Sequence, residues 1–397
     1  MRVLIADKLS KRMENALRDM GVDMDIRPDL TAGQLPEAIG DAHALVVRST
    51  KVSAETINSG RKLSLIVRAG AGVNTIDTTA ASSRGIYVTN CPGMNSAAVA
   101  ELAIGLLVAC DRRIVDASAD LRAGNWRKKE YGKSRGLRGR TLGILGAGMI
   151  GQAVASAARG LGMRVAAWSR SLDPARAAEL QLDYCDSPLD LARCSDAVSV
   201  HLAASPETRG FVGPEFLQAM REGAIFINTS RGEVVDQDAL AQAIEQRGLR
   251  VGLDVFADEP AGGESPFAQI ELARRITATP HIGASTEQAS EAVADDVVRI
   301  IKAFHETGKP PTPINMCLHS PATHSLVIRH YNRVGVLAGI LDLLREEDIN
   351  VEDMENTIFD GAQAACCTLQ LDAAPSQAAL AALEQNEFIL QITSGSR

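Results

Sequence analysis

The stretch Thr141-Leu142-Gly143-Ile144-Leu145-Gly146-Ala147-Gly148-Met149-Ile150-Gly151 decides how this chain is read. An apolar, strand-like run enters G-x-G-x-x-G, and a helical pattern continues over 152–158. A bare G-x-G-x-x-G is only a glycine-rich turn. Set between a strand and a helix, it is a dinucleotide-binding signature. Gly146 permits the tight turn, Gly148 lets the backbone approach a pyrophosphate, and Gly151 lets helix and strand pack closely. Met149 and Ile150 open the helix, whose free N–H groups and positive dipole end favour phosphate.

Further along, 141–145, 164–168, 197–201, 224–228, 250–254 and 276–279 read as six strands separated by helices. Six parallel strands with crossover helices make a complete dinucleotide-binding domain of the Rossmann type. Before it, 2–6, 24–27, 44–47, 65–68 and 87–89 read as strands alternating with helices near 10–20, 31–39, 54–58 and 78–84. This alternation predicts a second, flavodoxin-like parallel sheet covered by helices. One long helix over 96–123 bridges the two series. A helix over 286–306 leads back to the first lobe. Pro310, Pro311 and Pro313 stiffen a linker over 307–322. The remainder, 323–397, reads βαββαβ, a small ferredoxin-like α+β unit. The expected domains are therefore 1–98 completed by 284–306, then 99–283, then the tail.

At 397 residues with 46% apolar and 23% charged content, the chain has globular composition and length for two or three domains. Its net charge of −8 and 4% aromatic content argue against a nucleic-acid partner. No apolar run reaches the ~18 residues of a membrane span. The N-terminus reads as a strand and helix start rather than a secretory leader. Seven scattered cysteines, none spaced C-x-x-C, disfavour a disulfide framework or a zinc site, so a cytoplasmic protein without a metal is expected.

Chemistry gathers at the strand ends, where doubly wound sheets bind ligands. The second strand of the dinucleotide series ends in Ser169-Arg170, where an NAD ribose normally meets a carboxylate. Ser plus Arg would admit a 2′-phosphate, and Asp173 lies close enough to read the ribose instead, so NAD and NADP both stay open. Later strand ends carry Thr229 and Arg231, then Asp254 and Glu259, then His281 and Ala284. An imidazole moves a hydroxyl proton near neutral pH. A carboxylate fixes its tautomer, and a guanidinium grips a substrate carboxylate in a fork. Singly, each is an ordinary solvated or buried residue; what points to hydride transfer is their convergence beside the glycine motif.

The segments NTSRGEVVDQDAL (228–240), GLDVFADEP (252–260) and TPHIGAST (279–286) resemble the D-isomer-specific 2-hydroxyacid dehydrogenases. The resemblance implies catalytic roles for Arg231, Glu259 and His281, and contact of Asp254 with the nicotinamide amide. It also extends to VVRSTKVSAETI (46–57), VRAGAGVNTID (67–77) and GIYVTNCPGMNSAAVAEL (85–102). These are similar to members of that family acting on 3-phosphoglycerate. They imply Arg48 and Arg68 at the phosphate, Ala71-Gly72-Val73 at the carboxylate, and Asn95 in the same cleft. The activity so implied is NAD(P)-dependent oxidation of 3-phosphoglycerate to 3-phosphohydroxypyruvate, the first step of serine synthesis. A glyoxylate or hydroxypyruvate reductase, or a nucleotide-sensing binding protein on the same fold, are the alternatives.

The tail segment IRHYNRVGVLAGILDLLREEDINVEDM (328–354) resembles an ACT domain, an amino-acid-sensing module. His330, Asn332 and Asn350 match its effector-binding spacing, which implies L-serine as effector across a homodimer or homotetramer interface.

Overall fold

Short runs of β-branched and apolar residues, punctuated by glycine and helix caps, build two parallel sheets and one antiparallel sheet. The computed structural model describes residues 1–260, 266–317 and 320–396. Strands β1 (Arg2–Ile5), β2 (Asp23–Ile26), β3 (Ala44–Val47), β4 (Leu65–Arg68) and β5 (Tyr87–Asn90) pair in parallel in the order β2-β1-β3-β4-β5. Both faces are covered. Val3, Ile5, Val46 and Val67 pack with Val297, Ile300 and Ile301 of the helix Glu287–Thr307. Leu4, Leu45, Val47 and Ile66 pack on the other side with Leu35 and Ile57. The chain thus returns to its first lobe. Thr31–Ile39, expected as one helix, folds helically only over Leu35–Ala38.

The second sheet has seven strands rather than six: β6 (Thr141–Leu145), β7 (Arg164–Trp168), β8 (Asp183–Tyr184), β9 (Ala197–Val200), β10 (Ile225–Asn228), β11 (Arg250–Leu253) and β12 (Thr277–Ala278). Their order is β12-β11-β10-β9-β6-β7-β8, all parallel. The addition, β8, is two residues long, too short to show a periodic pattern. The order reverses between β6 and β9, so a crevice opens beyond their carboxyl ends.

The single helix expected over 96–123 is two helices, Ser96–Arg112 and Ile114–Arg122. Arg113 breaks it with a left-handed φ of 51°. No glycine or proline marks the break; tertiary contacts hold it. Arg113 Nη1 donates to Glu130 Oε1 at 2.6 Å, and its guanidinium lies 4.8 Å from the Tyr131 ring centroid.

Residues Met1–Asn315 form one compact unit and the chain from Met316 a second. The expected linker is in part fastened to the first unit. Asn315 Oδ1 accepts from Val88 N at 2.8 Å, and Ile314 N donates to Val88 O at 2.8 Å. Of that stretch, 318 and 319 lie outside the described residues, as does 397 at the end of the tail. In the second unit, β13 (His324–Tyr331), β14 (Val351–Ile358), β15 (Ala364–Leu371) and β16 (Ile389–Ser396) form an antiparallel sheet ordered β14-β15-β13-β16. Helices Val336–Glu346 and Gln377–Glu384 complete the βαββαβ order, with Leu326, Ile328, Ile340, Leu344 and Leu369 in the core. The last strand, β16, runs to Ser396. Among the described residues, no helix is long and apolar enough to cross a membrane, and no cluster of His, Cys, Asp or Glu could hold a metal.

Candidate active site

At the carboxyl end of β11 the chain leaves the sheet at Asp254, whose carboxylate is buried. It anchors the loop after β12. Oδ1 accepts from Thr279 Oγ1 at 2.6 Å and Ile282 N at 2.8 Å, and Oδ2 accepts from Gly283 N at 2.8 Å. The backbone N–H of His281 donates to Asp254 O at 2.8 Å. Held from both sides, His281 takes a left-handed φ of 52°, which a non-glycine residue adopts at a cost. Its ring therefore projects from a fixed turn.

Glu259 reaches back to that ring. His281 Nδ1 and Glu259 Oε2 are 2.5 Å apart, while Oε1 accepts from Phe256 N at 3.0 Å. Burial pushes the Glu259 carboxyl upward. The His281 hydrogen bond, the Phe256 N–H and the Arg231 charge outweigh it and hold the group below the ordinary carboxylate value. An ionised carboxylate on Nδ1 leaves Nε2 as the proton-exchanging atom.

Arg231 leaves β10 through Asn228-Thr229-Ser230. Asn228 Nδ2 donates to Arg231 O at 3.0 Å, and Arg231 Nη1 donates to Ser230 O at 2.6 Å. Across the cleft lies Gly72, where a Cβ would stand 2.4 Å from Arg231 Nη2. Gly232, next in chain, backs onto Phe256 O, where a Cβ would come within 1.9 Å. Glycine at 232 lets the β10 and β11 loops touch, and glycine at 72 leaves room for the guanidinium.

Arg68 ends β4 inside the same cleft. Burial pushes its guanidinium down to about 10, and the charges of Arg231 and Arg48 add to the effect. Its Nε is buried without a hydrogen-bond partner. Among the described residues, Arg48, Arg68 and Arg231 form no ion pair with a carboxylate of the chain. One cavity of about 970 Å³ is lined by Arg48, Arg68, Glu259, His281 and Ala284. A smaller one of about 320 Å³ joins Arg68, Gly72 and Arg231 to Glu259 and His281. Ala71 O accepts from Asn90 Nδ2 at 2.5 Å, which ties the 71–73 loop to β5. Asn95 precedes the helix Ser96–Arg112 without capping it, and its Oδ1 is buried and unpartnered.

Sequence reasoning missed Asp7. Its Oδ2 accepts from the backbone N–H of Arg48, Ser49 and Thr50 at 2.7, 3.2 and 3.2 Å, which holds the Arg48 loop. Its only signal is its place just beyond β1. The basic run Arg127-Lys128-Lys129 lies elsewhere, in a depression shared with Trp126 and Tyr131.

The β6 turn suits a dinucleotide. Gly146 has φ 103°, and a Cβ on Gly151 would lie 2.1 Å from Gly146 O. The helix Met149–Gly160 begins at Gly148 with no side-chain cap, and Gly148 faces open space. Its first N–H groups are thus left for an anion, with Met149 exposed beside them and Ile150 half-buried. Thr229 Oγ1 is buried without a partner. Ser169 is half-buried and Arg170 exposed at the end of β7. Asp173 is engaged otherwise than expected: it caps the helix Pro174–Glu179, accepting from Arg176 N at 2.7 Å.

His201, just beyond β9, was also overlooked, because a lone histidine carries no pattern. A Cβ on Gly146 would meet its carbonyl oxygen at 2.7 Å, so it backs the glycine turn. Burial pushes its imidazole down to about 3, Nε2 pairs with Ser199 Oγ at 2.8 Å, and Nδ1 has no partner.

In the second unit the three effector candidates do not converge within one chain. His330 is buried, with Nε2 3.1 Å from Asn356 Oδ1, and Asn332 Nδ2 donates to Ala362 O at 3.1 Å. Asn350 precedes Val351, which pairs with Leu371 and so lies level with His324, whereas His330 pairs with Ala365. At ~3.3 Å per residue, that register puts Asn350 about 20 Å from His330.

A family model described as D-isomer specific 2-hydroxyacid dehydrogenase, NAD binding domain, matches residues 104–283. The glyoxylate reductase of Thermococcus litoralis is 40% identical over 291 residues, 71% of this chain and 86% of the relative. The D-3-phosphoglycerate dehydrogenase of Mycobacterium leprae is 39% identical over 306 residues, 76% of this chain. The chain spans only 56% of that relative's length. Among solved structures, the TT0316 protein from Thermus thermophilus superposes with a TM-score of 0.71 at 34% identity, covering 79% of this chain and all of its own.

Proposed function

The chain belongs to the D-isomer specific 2-hydroxyacid dehydrogenase family of NAD-dependent oxidoreductases, and from that premise we propose that its substrate is 3-phosphoglycerate, oxidised to 3-phosphohydroxypyruvate at the start of serine synthesis. The observation that carries this reading is the half-buried Arg68, its Nε buried without a hydrogen-bond partner, beside Arg48 and Arg231. Three guanidiniums without a carboxylate partner repel one another until an anion arrives. One carboxylate on Arg231 leaves Arg48 and Arg68 uncompensated, and a phosphate dianion supplies the remaining charge. In this reading Gly72 and its neighbours Ala71 and Val73 frame the carboxylate, and Asn95 borders the cleft.

His281 Nε2 takes the hydroxyl proton as the C–H bond breaks. Glu259 holds Nδ1 and stabilises the imidazolium that forms. Arg231 orients the carboxylate and draws charge from the developing carbonyl. The dinucleotide, held at Gly146, Gly148 and the helix start, supplies the hydride acceptor. Ser169 and Arg170 leave the ribose position without a carboxylate, so this chain is proposed to use NAD and to accept NADP as well.

Glyoxylate or hydroxypyruvate reduction is the second reading, favoured by the extent of the match to the Thermococcus litoralis enzyme. A substrate panel with both cofactors separates them. A kcat/KM for 3-phosphoglycerate and its oxo product well above that for glyoxylate supports the first. The reverse ranking replaces it with the second.

For the tail we propose an ACT-like effector role. Because Asn350 is remote from His330 and Asn332 in one chain, a shared amino-acid site needs two copies, and the proposed assembly is a homodimer or homotetramer in the cytoplasm. L-serine is the proposed effector. Inhibition that Asn332→Ala weakens without changing basal kcat supports it. A lack of serine binding by calorimetry reduces the tail to an assembly unit.

A further inference from the structure

Cys185 and Cys194 stand outside the site described above. Cys185 follows β8, and Cys194 ends the helix Pro188–Cys194. Eight residues separate them, no motif joins them, and the fold brings their sulfurs to 3.8 Å, the contact distance of two thiols. Cys185 is buried, while Cys194 is partly open to solvent. Cys194 Sγ also lies 3.8 Å from Ser195 Oγ and 3.3 Å from Leu191 O. The hydrogen bond with Cys185 lowers the Cys194 thiol against the effect of burial, with help from Ser195 and the Arg221 charge, and Cys185 is raised in turn. One sulfur thus has access to solvent, and the other lies within reach as its neighbour.

The pair is tied to the cofactor side of the sheet. Cys185 N donates to Ala167 O at 3.0 Å, and Ala167 lies two residues before Ser169 on β7. Trp168, between them, packs against the core cluster that contains Cys185 and stacks on Phe211 at 5.4 Å. A covalent bond would draw the sulfurs from 3.8 Å to about 2.05 Å. Such a bond ties the β7–β8 edge, just before the Ser169-Arg170 turn, to the helix Pro188–Cys194.

We propose that Cys185 and Cys194 form a reversible disulfide that weakens dinucleotide binding when the protein meets a hydroperoxide. Cys194 gives up its proton and its sulfur attacks hydrogen peroxide; the O–O bond breaks, and the hydroxide that leaves takes up that proton as water while Cys194 becomes a sulfenic acid. Cys185 then attacks that sulfur, the S–O bond breaks, and a second water leaves with the disulfide formed. Two thiols are oxidised by two electrons, and one hydroperoxide is reduced. A dithiol reverses the reaction by exchange.

The cross-link does not depend on the proposed substrate. Its effect on cofactor affinity rests on the dinucleotide reading of the β6 and β7 ends. The test treats the reduced full chain with a small excess of hydrogen peroxide, blocks remaining thiols, and maps the peptides by mass spectrometry. The expected result is a Cys185–Cys194 cross-link that dithiothreitol removes, with the buried Cys91 and Cys110 still alkylatable after unfolding. NADH and NADPH affinities, read by tryptophan fluorescence before and after oxidation, should weaken by about fivefold or more for the tighter cofactor. Cys194→Ser and Cys185→Ser should each abolish both changes. Absence of the cross-link overturns the proposal. So does a cross-link that leaves both affinities unchanged while the reduced protein binds cofactor. Failure of the reduced protein to bind either cofactor instead overturns the dinucleotide reading.

Discussion

Gly72 and Arg231 face each other so closely that a single methyl group on residue 72 would stand 2.4 Å from the guanidinium Nη2. The obstructed atom is the end of a flexible side chain, so the fold can yield while the site cannot. Gly72→Ala should therefore leave the melting temperature nearly unchanged and raise KM for the hydroxy acid about tenfold, the cost of one charge-assisted hydrogen bond. Gly232→Ala meets the Phe256 backbone instead. It should cost about 1–3 kcal/mol of stability, the range of overpacking in a tight site. Thermal unfolding and steady-state kinetics on the two variants separate the effects.

Removing the imidazole addresses the chemistry itself. His281→Ala should lower kcat by ~10²-fold or more while cofactor affinity changes little. Near-wild-type turnover after this change would rule out His281 as the proton-exchanging group.

The His281–Glu259 pair has a signature in acid. Glu259 titrates below its ordinary value in the folded chain, so the unfolded chain takes up its proton first as pH falls. The stabilising contribution is complete above the ordinary carboxylate value of ~4.5 and is lost as pH drops through the lower, folded one. The gap in melting temperature between wild type and Glu259→Gln should be constant at neutral pH and close below about pH 4.5.

Arg68 sets stability against binding. Its charge is half-buried beside two others of the same sign. Arg68→Met should raise the melting temperature of the free protein, because a half-buried charge without an ion-pair partner is replaced by an apolar chain. The same change should raise KM for 3-phosphoglycerate far more than for an unphosphorylated 2-hydroxy acid. An equal effect on both would move Arg68 away from the phosphate.

Ser169→Asp tests the cofactor end. A carboxylate there hydrogen-bonds the ribose 2′-hydroxyl and repels a 2′-phosphate. The ratio of kcat/KM with NAD to that with NADP should rise about tenfold or more, as expected from one favourable and one repulsive contact.

Local signals carried most of what was legible. The glycine motif, the strand ends at Arg231, Glu259 and His281, and the βαββαβ order of the tail all follow from neighbouring residues. What escaped depends on distant partners. Arg113 turns left-handed where Glu130 and Tyr131 receive its side chain, and no glycine or proline near it in the chain marks a break. Asp7 looks like a surface charge until the Arg48 loop folds onto it. Asp173 seemed free to read a ribose, yet it sits one residue before a proline that starts a helix, where capping is its natural task. Antiparallel register puts Asn350 beyond the reach of His330, a separation that spacing along the chain conceals.

The three hydrogen bonds that the Asp254 carboxylate accepts from the 279–283 turn bear on the entropy of the reaction. The turn that carries the base is immobilised when the chain folds, and Glu259 fixes the ring's rotation. Little orientational freedom of the imidazole then remains to be lost on the way to the transition state, so the activation entropy is borne mainly by the incoming substrate. Loosening that turn from beneath, as Asp254→Asn would, shifts part of the burden back to the protein. It should appear as a more negative activation entropy, visible in the temperature dependence of kcat, even where the His281–Glu259 pair survives intact.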